Sequence, residues 1–146
     1  MIATWPVPAP ASDIEGFAFV QDNGTLRMGG RAVRLYGIHI PETPVQCRTF
    51  ERPVRCGPQA LLALEFKARR FVHCERKALN PDGSVTALCR VGTEKLSEGD
   101  DLAAYLLKRG WAVALPDAPV EYQTMEEVAR YRWLGIWGFS IVPLIR

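Results

Sequence analysis

The sequence predicts a mainly β protein of the α+β class: a five-stranded barrel in the oligonucleotide/oligosaccharide-binding (OB) style, with about three helices. Three observations lead there. Short runs of alternating apolar residues are separated by strong turn signals, the pattern of strands joined by hairpins. One helical pattern falls between the third and fourth runs. Two more follow the fifth, where they would pack on the barrel. At 146 residues, 48% of them apolar, the chain suits one compact domain with a real core and not a disordered segment. It carries no internal repeat, and no apolar run is long enough to span a membrane.

The elements follow in order. The chain opens MIATWPVPAPAS, which lacks the basic and apolar regions of a signal peptide and reads as a flexible, proline-rich tail over 1–12. A chain starting after a removed signal peptide would look the same. Residues 16–21 and 25–28 are strands around Asp22-Asn23-Gly24, a good hairpin turn. Gly29-Gly30 makes a second turn, and 31–38 is the third strand, with Val33, Leu35 and Gly37 alternating against Arg34, Tyr36 and Ile38. Residues 43–56 form a loop rich in proline and arginine. Pro58 suits a first helical turn, and 59–70 is a helix with Leu61, Leu64 and Ala68 on one face. Residues 71–79 and 84–91 pair around Asn80-Pro81-Asp82-Gly83, with proline at the second turn position. Asp100 or Asp101 is the N-cap of a helix that spaces Leu102, Tyr105 and Leu106 on one face and ends at Gly110. Residues 111–115 are extended. The last helix, 121–134, sets Tyr122, Met125, Val128, Ala129 and Trp133 on or near one stripe. The domain is thus expected over 13–137, and 138–146 is an apolar tail with a basic end.

The net charge of +2 neither demands nor excludes a polyanionic partner, although 14 of the 18 basic residues are arginines, suited to bidentate contact with phosphate or carboxylate. Four cysteines carry more weight. If the 80–83 turn centres between Pro81 and Asp82, antiparallel pairing sets Cys74 opposite Cys89, where a cross-strand disulfide is geometrically sound. Cys47 and Cys56 would close a short loop. Such pairing favours an oxidising compartment, periplasmic or secreted. Four buried thiols in the cytoplasm remain an alternative. So does a zinc site of all four cysteines, against which stands the lack of a C-x2-C pair.

The stretch GGRAVRLYGIHIPE, Gly29 to Glu42, resembles the third strand of the staphylococcal nuclease-like (thermonuclease-like) family, which reads Arg-x-x-x-x-Asp-x-Pro-Glu there. Arg34, Pro41 and Glu42 match. The resemblance extends over about 14–137 through Gly57, Ala60, Asp101-Leu102, Gly110-Trp111-Ala112, Glu126, Ala129-Arg130 and Gly135-Ile136-Trp137. It implies the same five-stranded barrel with three helices. It also implies cleavage of phosphodiesters with calcium, a general base and two arginines. Calcium needs oxygen ligands, chiefly carboxylates. The family takes one from an Asp-Gly-Asp-Thr turn and one from the Asp before Pro-Glu. Here the turn reads Asp22-Asn23-Gly24-Thr25, and His39 replaces the second ligand. The family's second arginine, in Tyr-Gly-Arg, becomes Ser84 in Asp82-Gly83-Ser84. Loss of the metal carboxylates and of one phosphate clamp removes the main transition-state terms.

The resemblance therefore implies a catalytically degenerate member, with Arg34 and Glu42 as vestiges of the active site and no calcium or other cofactor. Arg34 would then pair with Glu42 and hold the strand exit in place. His39 is a loop histidine or a binding residue. A softer metal held by His39 with Asp22, His73 or Glu42 is the less favoured reading, since no ligand spacing supports it. His73 reads as a surface residue, and Trp111, Trp133 and Trp137 as core rather than as base-stacking platforms. The loop CRTFERPVRC brings Arg48, Arg52 and Arg55 together with Phe50, a set that would grip nucleic acid or an acidic polysaccharide. The expectation is a binding module for such a polyanion or for a protein partner. The runner-up is a phosphodiesterase using a non-calcium metal, or none, through His39 and Glu42. A third reading is a structural subunit of an envelope or secretion assembly, docking through the apolar tail.

Overall fold

The computed structural model describes residues 13–41, 46–48, 53–92 and 99–139, with the backbone alone at 46–48, 53–58 and 138–139. The fold is mixed α+β and mainly strands. A curled sheet runs in the order β1 (Ile14–Gly16), β8 (Val72–Leu79), β9 (Val85–Val91), β4 (Arg31–Leu35), β3 (Leu26–Met28), β2 (Phe19–Val20), with β10 (Asp100–Asp101) paired to β9. β4 runs parallel to β9, and the other pairs are antiparallel. β1 and β2 are neighbours in sequence, yet they stand at opposite ends of that path. One stretch of chain therefore meets both ends of the sheet. Two small pairs lie outside it: β5 (Ile38–His39) with β11 (Val113–Ala114), and β6 (Gln46–Arg48) with β7 (Pro53–Arg55). The expected loop over 43–56 thus contains a short hairpin.

The helices are α1 (Cys56–Lys67), α2 (Leu102–Lys108) and α3 (Val120–Tyr131), followed by the single turn α4 (Ile136–Phe139). α1 begins three residues before the expected start and ends three before the expected end. α4 crosses the boundary expected between domain and tail. No helix among the described residues is long and apolar enough to cross a membrane.

Strand alternation fills the concave side of the sheet. Val85, Ala87, Cys89 and Val91 of β9 are all buried, as are Leu26, Met28, Val33 and Leu35. Leu64 of α1, Ala68 just beyond it, and Leu102, Leu106 and Leu107 of α2 cover them. Burial of apolar side chains at these positions is the main force that curls the sheet over the helices. Cys74 stands opposite Cys89, and the two form a disulfide in this core, as the turn position predicts.

Two hairpin turns share one geometry. In the first, Gly24 N donates to Gln21 O at 2.9 Å and Gln21 N to Thr25 O at 2.8 Å. In the second, Gly83 N donates to Asn80 O at 3.0 Å and Asn80 N to Ser84 O at 2.8 Å. Gly24 and Gly83 adopt φ +82° and +90°, as a type I turn closed by a left-handed residue requires. Asn23 and Asp82 then occupy equivalent sites, each accepting the N–H two residues on, from Thr25 at 3.0 Å and Ser84 at 2.9 Å.

The expected strand 31–38 is broken. Gly37 has φ +81°, and a Cβ there would meet the Tyr122 ring at 2.8 Å. The chain turns at Gly37, its carbonyl accepts from Leu115 N at 2.9 Å, and Ile38–His39 leaves the main sheet for β11. The expected stripe on the last helix is also shorter. Tyr122 and Ala129 are buried, but Val128 is exposed. The helix ends before Trp133, which is 60% exposed with φ +58°. Trp133 is therefore no part of the core. Trp111 and Trp137 do pack, around Ile136.

Candidate functional site

β4 carries Arg34 to the outer face of the sheet, because Val33 and Leu35 on either side point inward. The 22–24 turn and the β5 exit close around it. Gly24, Arg34, Ile38 and His39 line a cleft of about 270 Å³. Three positions singled out in the sequence, Gly24, Arg34 and His39, are thus brought together. Gly24 is buried, with Ile40 packed where a Cβ would go, only 2.8 Å away. His39 stands exposed on the rim.

Arg34 is not free. Its Nη2 donates to Asp82 Oδ2 at 2.8 Å, across 48 residues of sequence. Asp82 is pinned in turn by Ser84, whose N–H and hydroxyl both donate to Oδ1, at 2.9 and 2.6 Å. Asn80 Nδ2 donates to Ser84 Oγ and Thr86 Oγ1, each at 2.9 Å. The Ser84 hydrogen bonds, helped by the Arg34 charge, hold the Asp82 carboxyl below the ordinary carboxylate range. Ser84, at the position where the resemblance expects a second arginine, is buried and serves this turn.

A second cleft, of about 480 Å³, continues from the first across Asn23, Thr25 and Arg34. It adds Arg27 and Arg31, which the sequence reading overlooked. Register supplies the reason for the position of Arg27. Arg27 pairs with Ala32, two residues from Arg34, so both arginines share the outer face. The signal for Arg27 is present in the alternation of 26–35, but Arg27 belongs to no catalytic motif. Neither Arg27 nor Arg31 has a carboxylate partner among the described residues.

His73 lies on the outer face of β8, as read from the sequence, and is partly covered, with Nδ1 2.8 Å from Glu15 Oε1 and Nε2 3.1 Å from Asp13 Oδ2. It ties β1 to β8 and lies in neither cleft with His39. No group of three or more metal-ligating side chains converges among the described residues. Glu42, Phe50 and Arg52 lie outside the described residues, as do the side chains of Cys47, Arg48, Arg55 and Cys56 and the segments 1–12 and 140–146.

Asp101, Glu126, Gly110 and Gly135, also behind the resemblance, have structural work. Asp101 caps α2, its Oδ1 accepting from Ala103 N at 2.9 Å and Ala104 N at 3.2 Å, while Oδ2 accepts from the Tyr122 hydroxyl. Glu126 of α3 accepts from Ala114 N of β11 at 2.9 Å. Gly110 and Gly135 let two backbones touch: Ile136 N donates to Gly110 O at 2.8 Å, and a Cβ on Gly110 would lie 2.2 Å from Leu134 O. The sequence matches no protein-family model and no curated protein.

Proposed function

We propose that this chain is a degenerate staphylococcal nuclease-like domain, a five-stranded OB-type barrel that works by binding rather than by cleavage. The strand order, with the 14–20 stretch meeting both ends of the sheet and β4 parallel to β9, supports the barrel reading. One observation carries the functional reading: the surviving arginine of the cleft, Arg34, is already held by the protein's own carboxylate, Asp82. A cation engaged in this way stabilises less of the charge that develops on a transferring phosphate. Gly24 and His39 supply no carboxylate for calcium, and Ile40 fills the space that a side chain at position 24 would need. The partner is an anionic polymer or a protein with an acidic surface, approaching along the arginine-lined face. The Cys74–Cys89 disulfide supports a periplasmic or secreted setting.

The test is a binding titration run beside a cleavage assay. Salt-dependent binding of anionic polymers with no turnover in calcium is the expected result. Calcium-dependent cleavage that vanishes in Arg34→Gln would sink the proposal. Cleavage supported by zinc or manganese and lost in His39→Ala would transfer the function to a phosphodiesterase.

A further inference from the structure

Resting on that binding reading, the geometry points to a polymer of sugar carboxylates as the ligand, gripped by Arg27 and Arg31, with Asp82 acting as a built-in competitor on Arg34. The evidence lies in what the two joined clefts contain. Arg34 already takes a carboxylate, in contact at 2.8 Å, so the groove shows which anion its guanidinium accepts in this setting. Arg27 and Arg31 line the same groove with no carboxylate of their own among the described residues. Gln21 and Asn23 add side-chain amides at its rim, groups that suit sugar hydroxyls. Among the described residues no aromatic ring lines either cleft; Phe19, exposed and across from Arg27 in the sheet, lies outside both. Recognition of single-stranded nucleic acid draws much of its energy from bases stacked on aromatic rings. A groove of arginines and amides without rings favours a uronic-acid chain over an oligonucleotide.

Asp82 bears on affinity. Held by two hydrogen bonds from Ser84, it keeps one of the three arginines occupied. An incoming carboxylate meets two open cations and one closed one, and neutralising Asp82 opens the third.

The experiment titrates the full chain with a uronic-acid hexamer and, separately, with a thymidine oligonucleotide of equal charge, by calorimetry at low salt. Thermal unfolding of each variant confirms that it folds. Wild type should bind the hexamer more tightly than the oligonucleotide. Arg27→Gln/Arg31→Gln should weaken hexamer binding by roughly fivefold or more, and Asp82→Asn should strengthen it a few-fold, the scale of exposed charge contacts. Tighter binding of the oligonucleotide, or unchanged hexamer affinity in either variant, overturns this inference and leaves the binding-module reading standing. Failure of wild type to bind either polymer overturns this inference together with the anionic-polymer form of the binding reading.

Discussion

On the proposed degenerate-nuclease reading, Gly24 is where a metal-binding carboxylate would have to be rebuilt, and its backbone resists the repair. The residue sits at φ +82°, and its missing Cβ would lie 2.8 Å from Ile40 Cδ1. Gly24→Asp combined with His39→Asp should therefore destabilise the fold by about 1–3 kcal/mol and still give no calcium-dependent cleavage. Thermal unfolding and a nuclease assay read the two halves, and calcium-supported turnover in the double variant would refute the claim. Asp82 makes a second prediction. Its folded-state pKa lies below the ordinary 3.8, so its stabilising contribution is complete above that value and is lost as pH falls through the depressed one. Asp82→Asn should flatten the acid limb of the stability profile below about pH 4; an unchanged limb contradicts it. At this scale the sequence placed Gly24, Arg34 and His39 in one cleft. It did not reveal Asp82 as the partner of Arg34, because that pair depends on how β9 registers beside β4, which neither segment states locally.

Among elements, the junction of α2 and α3 has one polar anchor. Asp101 caps α2 with one oxygen and receives the Tyr122 hydroxyl on the other. Burial, then the hydrogen bond and charge of Asp101, push the Tyr122 pKa well up. A raised folded-state pKa means that the stabilisation is fully present below the unfolded value, about pH 10, and drains away as pH rises from there. Tyr122→Phe should cost about 1–2 kcal/mol at neutral pH and soften the alkaline limb, which a stability series from pH 7 to about 11 would show. The α2 C-terminus is tied less by side chains than by Gly110 against Gly135. Ala at either position drives a methyl into backbone only 2.2–2.3 Å away and should destabilise by about 3 kcal/mol or more. The cap and Gly110 were legible as local signals, whereas Gly135 was marked only by the resemblance. The break at Gly37 was not. Alternation runs straight through it, and only the distant Tyr122 ring dictates that no side chain fits there.

Across the whole molecule, the Cys74–Cys89 bond links the two most extensively paired strands through the middle of the core, and both residues are fully buried. Closing a loop of 15 residues is worth about 3 kcal/mol of stability. Cys74→Ala/Cys89→Ala should lose an amount of that order in denaturant melts; a negligible loss would point to a reduced native state. The fold class was readable because turn signals, strand alternation and helix positions agreed with one another. The fine division of the sheet was hidden, because it follows from side chains that meet only after the chain has folded.

The stretch from Ile14 to Val20 is the seam of this fold. It is translated before every strand it pairs with, and Ile14 has to wait for Cys74. Contacts so far apart in sequence are expensive in loop entropy and form late. Ile14→Ala should accordingly hasten unfolding while leaving the folding rate nearly unchanged, the mark of a residue uninvolved in the nucleus. Until the seam is sewn, β8 presents a bare edge. The nascent domain is therefore most prone to strand exchange with its neighbours between the synthesis of β8 and the docking of residues made some sixty positions earlier, as Ile14 stands from Cys74.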